Sequence, residues 1–326
     1  MLDIYFESNY GKLYETVENG ESIVFEYESQ DGKIKHIFIK REIPTLINDE
    51  VYYDIVTPYG YGGPLIVESI NKVELVKGFE REFKKYCLEN NLVSEFIRFH
   101  PILKNYSDFE SVYDTKYLRQ TVGTSMNHED VFTKEFSKST RKTIRRSLRD
   151  GITYEFIENP NNLKSFMDIY YSTMDRNKAT DYYYFDENYF GSFQEYFNDK
   201  LLLVNVKIDN KLIASSLNLI GSEILHVHLS GTLTEYMKYS PAYIIKYATV
   251  EWAKDQQIDV IHYGGGTTNS SEDSLFKFKK RFGQNTEFEF HIGKKVWNEE
   301  IYDSLCSENN IDKSIEFFPA YRYNGE

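Results

Sequence analysis

Three glycines followed by a run of lysines form the segment of this chain that is most suited to chemistry. Residues 260–263 are predicted to form a buried strand that is followed by the loop Gly264-Gly265-Gly266, and residues 273–282 are predicted to form a basic helix. Glycine has no Cβ, so it lets the backbone approach a ligand closely. An open α/β sheet also places its ligands at the ends of its strands. Gly265 is therefore a candidate substrate contact, although a simple backbone bend would use the same residues.

The lysines that follow these glycines supply positive charge where an anionic group or a developing oxyanion would lie. Lys277, Lys279 and Lys280 belong to this helix, and a solvated helix face is the ordinary position for two of the three. An earlier helix is predicted to begin at Ser240-Pro241, because serine favours the cap position and proline the first helical position. Tyr243 in that helix and Lys277 are candidate substrate-binding residues.

A cationic helix is predicted over residues 136–150, with Ser137 or Ser139 as its cap, and it ends at Gly151. Arg141 and Arg145 lie one turn apart on one face. One diphosphate could therefore contact both, since arginine binds phosphate oxygens with two parallel hydrogen bonds. The alternative is a solvated charged face whose aliphatic stems pack downwards.

A second glycine-rich loop spans residues 57–64, with the sequence Thr-Pro-Tyr-Gly-Tyr-Gly-Gly-Pro. The loop could line a groove for the acceptor, in which Tyr59 and Tyr61 stack on a base or a sugar. Gly62 and Gly63 have no side chain, so they would leave room for the acceptor in this groove. A tight turn that needs positive φ at its glycines explains the same sequence. The loop is thus predicted either to line an acceptor groove or to be a turn.

The composition limits the classes of function. The chain has 38 basic and 51 acidic residues, a net charge of −13, so DNA binding is not expected and tRNA would need a local basic patch. Cys87 and Cys306 are unclustered, which fits a reduced cytoplasm. His226 and His228 share a predicted strand, but without nearby ligand spacing we expect no metal site. No run resembles a signal peptide or a membrane helix, so a soluble cytoplasmic protein is expected.

The predicted elements follow a similar order in two portions of the chain. The first portion contains a hairpin that turns at Asp31-Gly32, strands over residues 52–56 and 95–99, and a helix over residues 73–90 between those strands. The second portion is longer and begins with a strand over residues 152–157, helices over 163–174 and 187–197, and a three-stranded meander over 201–230. It continues with a helix over 240–257, a strand over 260–263, a helix over 273–282 and a strand over 288–292.

Four segments resemble the Fem-type aminoacyltransferases that build peptidoglycan cross-bridges. They are the loop at 57–64, the basic helix at 137–146, the helix start at 240–243 and Phe278-Lys279-Lys280-Arg281-Phe282-Gly283. The element order of the second portion resembles the acetyltransferase (GNAT) fold. The resemblance implies an α/β (α+β) fold of two tandem GNAT-like domains, each a mixed sheet flanked by helices, without a coiled-coil arm. The expected divisions are 1–135, an inter-domain helix at 136–150, 151–300, and a tail at 301–326 that packs back.

This resemblance implies an acyltransferase that moves an aminoacyl or acyl group onto an amine of a cell-envelope precursor or amino sugar. It singles out Lys279, which would stabilise the oxyanion of the tetrahedral intermediate or the leaving hydroxyl. No Ser-His-Asp or Cys-His arrangement stands out in the sequence, so direct transfer without a covalent enzyme intermediate is expected. The expected partner is a small-molecule or lipid-linked acceptor, with peripheral membrane association left open.

The acyl donor stays open between aminoacyl-tRNA and acyl-coenzyme A, and no tightly bound cofactor is expected. Ordinary GNAT enzymes hold the coenzyme A pyrophosphate with backbone N–H groups of a glycine turn at a helix N-terminus. Residues 238–242 lack both glycines, and Pro241 has no N–H. Coenzyme A is therefore expected to bind weakly or not at all there. Two alternatives are a non-catalytic GNAT-like ligand-binding protein and an acetyl-coenzyme A-dependent N-acetyltransferase of surface polysaccharide.

Overall fold

The computed structural model describes residues 2–324, and the chain divides into two compact units. The central unit comprises Met1–Ile4 and Arg119–Phe288, and the split unit comprises Tyr5–Leu118 and Glu289–Glu326. These boundaries do not coincide with the expected divisions at residues 135 and 150, because the chain passes between the units after Ile4 and then within two long strands, after Leu118 and after Phe288. Within the described residues, no helix combines the length and the apolar character that crossing a bilayer requires.

The helices and strands follow one another along the chain in the order given next. From the N-terminus to residue 125 they are α1 (Ser8–Lys12), α2 (Glu15–Glu18), β1 (Gly20–Ser29), β2 (Gly32–Ile47), β3 (Glu50–Val56), β4 (Leu65–Ser69), α3 (Lys72–Glu89), β5 (Leu92–Arg98) and β6 (Asp114–Ser125). The remaining elements are α4 (Val131–Glu135), α5 (Lys138–Arg149), β7 (Thr153–Glu158), α6 (Lys164–Asn177), α7 (Glu187–Phe197), β8 (Leu201–Ile208), β9 (Lys211–Ile220), β10 (Ile224–Thr232), α8 (Pro241–Ala253), β11 (Val260–Gly264), α9 (Ser274–Lys280), β12 (Glu287–Val296) and α10 (Glu299–Glu308).

The strands of the split unit follow the order β1-β2-β3-β5-β12, and β4 pairs with β2. The predicted hairpin is confirmed: β1 and β2 are antiparallel, and Gly32 has φ +140 at their turn. Helix α3 packs Phe79 and Phe83 into the core of this unit, with their rings stacked 5.3 Å apart. The apolar residues that α3 repeats at helical spacing are therefore buried as the pattern predicts.

The strands of the central unit follow the order β6-β11-β10-β9-β8-β7, and β8, β9 and β10 form the predicted meander. Strands β10 and β11 are parallel, but their pairing covers only three residues and ends at His226 opposite His262. Just beyond, β10 carries a bulge between Val227 and Leu229, and such a bulge bends and twists a strand. The loop after β11 thus begins where the two parallel strands stop pairing.

Helix α5 begins as the sequence predicts, whereas α8 begins differently. Ser137 caps α5, because its side-chain oxygen accepts a hydrogen bond from the N–H of Thr140 at 3.2 Å. The prediction that Ser240 caps α8 through its side chain is wrong: Ser240 has left-handed backbone angles, φ 56 and ψ 45, and makes no side-chain cap bond. Pro241 takes the first helical position as predicted, and the helix ends at Ala253, four residues before the expected 257.

Candidate functional site

The glycine loop after β11 is held in place by Arg119 of strand β6. Its guanidinium NH1 donates to the carbonyl oxygens of Gly266, at 2.9 Å, and Thr268, at 3.1 Å. Gly264 has φ +74, a conformation that glycine adopts without strain. A Cβ added to Gly265 would meet the Arg119 side chain at 3.3 Å. The three glycines therefore allow the loop to turn sharply against this arginine.

The carboxylate of Asp273 joins the same loop to the start of α9. Its Oδ2 accepts hydrogen bonds from the backbone N–H and the hydroxyl of Thr267 and of Thr268, over 2.6 to 3.1 Å. Its Oδ1 accepts from the N–H of Phe276 at 2.9 Å and caps the helix. These hydrogen bonds, led by the one from Thr267, hold the pKa of Asp273 below its usual range. The carboxylate thus stays ionised and fixes the loop to the basic helix.

Lys279 of α9 reaches back to the glycine loop, where its Nζ donates to the carbonyl oxygen of Gly265 at 2.6 Å. Burial and, to a smaller extent, the nearby charge of Arg119 lower the pKa of Lys279, Asp273 acts in the opposite direction, and the resulting pKa is about 8. Two predicted residues, Gly265 and Lys279, are therefore brought together. The arrangement directs a partly desolvated ammonium group at the backbone of the half-buried glycine loop.

A second lysine of this region, Lys246 of α8, did not emerge from the sequence. Its side chain is only 6% exposed, and its Nζ lies 4.5 Å from the ring centroid of Tyr263. Burial lowers the pKa of Lys246 to about 7, and the charge of Lys279 adds to this effect. The feature of the sequence that could have identified Lys246 is its helical spacing from Thr249 and Ala253. These two residues lie on the same face of α8, and both are at most 1% exposed.

The other two residues predicted near Lys279 have different surroundings. The hydroxyl of Tyr243 accepts a hydrogen bond from Arg281 at 2.9 Å, and its ring packs against Phe278 with centroids 5.4 Å apart. Tyr243 therefore contacts the segment that carries Lys279. Lys277 is exposed and forms an ion pair with Glu272, which is the ordinary position of a lysine on a solvated helix face.

The two arginines predicted to hold phosphate lie on α5 in the central unit. Arg141 donates from NH1 to the carbonyl oxygens of Thr133, at 3.0 Å, and of Phe136. These carbonyls belong to the end of α4, so the guanidinium satisfies backbone groups that a helix terminus leaves without partners. Arg145 is exposed and lies over the ring of Phe132 at 5.6 Å. A role of either arginine in phosphate binding stays a prediction.

The loop at residues 57–64 belongs to the split unit and has the geometry of a tight turn. Gly63 has φ +86, and a Cβ there would meet Ile97 at 2.8 Å. Gly62 is buried and donates its N–H to the carbonyl of Arg98 at 2.8 Å. The carbonyl of Tyr59 accepts from the hydroxyl of Tyr10 at 2.8 Å.

Aromatic packing surrounds the second tyrosine of that loop. The ring of Tyr61 meets Tyr5 and Phe290 edge-on, with centroids 5.6 and 5.3 Å apart. Both Tyr59 and Tyr61 are half-buried rather than fully enclosed. A tight turn therefore explains the glycines of this loop. A contact of the Tyr59 and Tyr61 rings with an acceptor stays a prediction.

The histidines of β10 have different partners. His226 Nε2 lies 3.0 Å from the carboxylate of Asp3, and His228 Nε2 lies 2.9 Å from the hydroxyl of Tyr189. Burial lowers the pKa of His228 to about 3, and His226 adds to the effect. His228 is therefore neutral at physiological pH. His228 belongs to β10 and contacts α7 through Tyr189, whereas the two lysines belong to α8 and α9.

The chain is similar to known proteins at the level of its sequence. Residues 134–280 match the family described as Acetyltransferase (GNAT) domain. The chain is also 26% identical over 177 residues to the UDP-N-acetylmuramoylpentapeptide-lysine N(6)-alanyltransferase of Weissella viridescens. That alignment covers 53% of this chain and 51% of the other protein, so the chain spans about half the length of this curated relative.

Solved structures show the same fold over most of the chain. The FemX crystal structure has a TM-score of 0.70 and 14% identity, and the similarity covers 93% of this chain and 94% of FemX. L-PGS from Bacillus licheniformis has a TM-score of 0.56 at 12% identity, covering 89% and 92%. A tandem GNAT protein from the clavulanic acid biosynthesis pathway has a TM-score of 0.51 at 6% identity, covering 84% and 83%. The predicted α/β fold of GNAT type is thereby confirmed.

Proposed function

We propose that this chain, which contains a GNAT domain related to the Fem-type aminoacyltransferases, transfers an aminoacyl group onto an amine of a cell-envelope precursor. The observation that carries the proposal is the Lys279 ammonium, bound to Gly265 O at 2.6 Å and partly buried beside the glycine loop. A fixed cation in a desolvated site stabilises negative charge better than one in water, because nothing must reorganise when the charge appears.

Direct acyl transfer makes three demands on such a site. The acceptor amine must be uncharged, the oxygen of the acyl carbonyl must be stabilised as it becomes negative, and the leaving group must take up a proton. Lys279 meets the second demand in this proposal, because its Nζ can exchange the Gly265 carbonyl for the developing oxyanion. The amine attacks the acyl carbon itself, so no nucleophilic side chain is needed.

We propose the substrates from the curated relative, which is 26% identical to this chain over 177 residues. That relative is named as an alanyltransferase acting on the lysine N6 of UDP-N-acetylmuramoyl-pentapeptide. By analogy we propose an alanyl or similar aminoacyl donor carried by tRNA, and a nucleotide- or lipid-linked peptide amine as acceptor. The analogy covers half of that protein, so the choice of amino acid is an outcome of the test.

The start of α8 supports an aminoacyl-tRNA donor over coenzyme A. Ser240 has left-handed backbone angles, and Pro241 at the first helical position supplies no N–H. The N–H of Tyr243 is already bonded to the carbonyl of Ser240 at 3.0 Å. Few backbone donors are thus left for a pyrophosphate, whereas binding at a helix N-terminus relies on several.

The test is a transfer assay with the full chain and UDP-N-acetylmuramoyl-pentapeptide as acceptor. A pool of aminoacylated tRNA and acetyl-coenzyme A are offered separately, and mass spectrometry of the acceptor identifies the added group. We expect an aminoacyl adduct with the tRNA pool and none with acetyl-coenzyme A. An acetyl adduct would instead support the N-acetyltransferase alternative.

Two variants separate an enzyme from a non-catalytic binding protein. Lys279→Ala should reduce kcat by roughly 10²–10³, as removal of one oxyanion donor does. Lys280→Ala is the matched control, because Lys280 forms an ion pair with Glu287 at 2.8 Å. If neither the unmodified chain nor the control modifies any acceptor, while the acceptor still raises the melting temperature, the chain is a binding protein.

A further inference from the structure

Lys246 is a buried lysine that the proposed reaction has not yet used. It is 6% exposed and lies among Ile245 and Thr249 on the inner face of α8. Within residues 2–324, no carboxylate or carbonyl oxygen accepts a hydrogen bond from its Nζ, and its close contact is the face of Tyr263 at 4.5 Å. Lysine is rarely buried unless it is paired. A buried ammonium without an anionic partner is unfavourable, so burial shifts Lys246 towards the neutral amine, while the face of the Tyr263 ring attracts the charged form.

Two of the groups that act on Lys246 come from other elements. Lys279 of α9 supplies the positive charge that acts on it, and Tyr263 of β11 supplies the ring beneath it. The Tyr263 hydroxyl lies 2.7 Å from Thr124 Oγ1, and burial raises its pKa, so this phenol stays neutral. No negative charge faces Lys246 from either of these two elements.

The two lysines therefore have contrasting environments within one region. Lys279 has the Gly265 carbonyl as a hydrogen-bond acceptor and the Asp273 carboxylate nearby, and both favour its charged form. Lys246 has an aromatic ring and a neighbouring cation, and the cation disfavours its charged form. Two amines whose surroundings separate their protonation states can serve as acid and base in the same reaction.

We infer that Lys246 is the proton acceptor of the acyl transfer, with Lys279 as the cation that stabilises the oxyanion. This inference rests on the proposed function and adds a catalytic residue to it. The acceptor amine forms a bond to the acyl carbon, and the carbonyl electrons move to the oxygen that faces Lys279. The proton released by the attacking nitrogen passes to the neutral Nζ of Lys246.

The second half of the reaction restores both lysines. The ester bond between the acyl carbon and the donor oxygen breaks, and its electron pair stays on that oxygen. Lys246 returns the proton to this leaving oxygen, so the products are an amide and a free hydroxyl group. The reaction needs no oxidant, reductant or further reactant.

The protonation behaviour of Lys246 fits this role. Burial and the charge of Lys279 lower its pKa to about 7, so a large fraction of the side chain is a free amine at neutral pH. A general base works best when its pKa lies near the working pH. Lys279, with a pKa lowered to about 8, remains mostly protonated under the same conditions.

The experiment compares the full chain with Lys246→Met, Lys246→Arg and Lys254→Met, using alanyl-tRNA and UDP-N-acetylmuramoyl-pentapeptide. Methionine keeps the length of the side chain without its amine, and arginine keeps a charge that is not given up. Lys254 is the matched control, because it follows the same helix but is exposed and paired with Glu251 at 2.5 Å.

We expect Lys246→Met to lower kcat by roughly 10²–10⁴, the usual contribution of general base catalysis. The KM for the acceptor should stay within about threefold, which corresponds to less than one decade of affinity. Both Lys246 variants should lose the limb of the pH profile near 7, and Lys254→Met should keep it. The melting temperature of Lys246→Met should not fall, since replacing a buried charge by an apolar group is often neutral or stabilising.

A second measurement does not depend on turnover. An NMR titration of the lysine Cε resonances in the full chain should show one lysine that titrates near 7 and is missing from Lys246→Met. A Lys246 resonance that titrates in the ordinary lysine range would overturn the proton-acceptor role. So would a folded Lys246→Met variant with unchanged kcat and pH profile, which would leave the proposed function intact. An unmodified chain that transfers no acyl group from any donor would overturn the proposed function and this inference with it.

Discussion

Lys279 Nζ donates to the carbonyl oxygen of Gly265 across 2.6 Å, although the two residues are 14 positions apart. The bond connects helix α9 with the glycine loop after β11. It points the ammonium group towards the end of a strand, where α/β folds bind their ligands. Because burial is the main reason that the pKa of Lys279 falls to about 8, this group can change its charge within the working range of an enzyme.

The first prediction concerns the alkaline side of the pH profile. An oxyanion needs the protonated form of Lys279, and that form is lost as the pH rises through the lowered pKa of about 8. We therefore expect kcat/KM to decrease above that pH. In Lys279→Arg, which keeps its charge at high pH, the maximal rate should be lower but the alkaline decrease should move to higher pH. An alkaline limb that is the same in both proteins would assign it to another group.

The second prediction concerns Asp273, which binds two threonines of the loop and caps α9. Asp273→Ala removes all these contacts, and loss of a cap alone lowers the free energy of unfolding by about 0.5–2 kcal/mol. Asp273→Asn is the control, because asparagine caps helices nearly as well without a charge. In urea unfolding the unmodified protein should be the most stable, Asp273→Asn intermediate and Asp273→Ala the least stable. An Asp273→Ala variant as stable as the unmodified protein would contradict the stabilising role of Asp273.

The lowered pKa of Asp273 adds a pH dependence to this prediction. In the unfolded chain the group has its usual pKa of 3.8, and in the folded chain the value is lower. The charged form therefore contributes stability above that usual value, and the contribution disappears as the pH falls through the folded pKa. The difference in stability between the unmodified protein and Asp273→Asn should be constant near neutral pH and should shrink on acidification.

Some features of this fold could be predicted from the sequence because local chemistry decides them. The cap of α5 by Ser137 and the hairpin turn at Gly32 depend on a few adjacent residues. Strand β6 was not predicted, because its first half is polar and charged and only residues 121–124 are fully buried in a row. Its pairing with β11 is a long-range contact that no local pattern signals.

The candidate site shows the same division between local and long-range causes. Lys279 and Gly265 belong to short segments with a recognisable composition, so the sequence pointed to both. The burial of Lys246 depends on the packing of α8 against the sheet, and a single lysine in a helix is ordinarily exposed. Arg119 comes from the unpredicted strand β6, and its bond to Gly266 O follows only from the pairing of that strand.

The third prediction concerns Asp54 of the split unit, which is 1% exposed. Its carboxylate accepts from Arg41 Nε at 2.9 Å and also binds Arg322, so it fastens the C-terminal segment of that unit. Asp54→Ala leaves the two arginines without this partner and should lower the free energy of unfolding by about 3–5 kcal/mol. Lys313→Ala breaks only an exposed pair with Asp303 and should cost at most about 1 kcal/mol. Similar unfolding midpoints for both variants would contradict the anchoring role.

The fourth prediction separates two roles of the basic helix α5. Arg141 donates to the carbonyl oxygens of Thr133 and Phe136, and hydrogen bonds from charged groups contribute about 1.5–3 kcal/mol. Arg141→Ala should therefore lower the free energy of unfolding by an amount at the lower end of that range, because the group is partly exposed. Arg145→Ala should change stability by less than about 0.5 kcal/mol, as most surface substitutions do.

Arg145 is for this reason the cleaner probe of the predicted phosphate contact. Its guanidinium lies over the Phe132 ring at 5.6 Å and is exposed, so its replacement reports on the acceptor rather than on the fold. If α5 holds the diphosphate of UDP-N-acetylmuramoyl-pentapeptide, Arg145→Ala should raise the acceptor KM by roughly one to two powers of ten, the equivalent of a charge-assisted hydrogen bond. Added salt should weaken the binding of the unmodified protein more than that of the variant. An unchanged KM in Arg145→Ala, together with a loss of stability confined to Arg141→Ala, would show that α5 has a structural role and that the acceptor phosphates bind elsewhere.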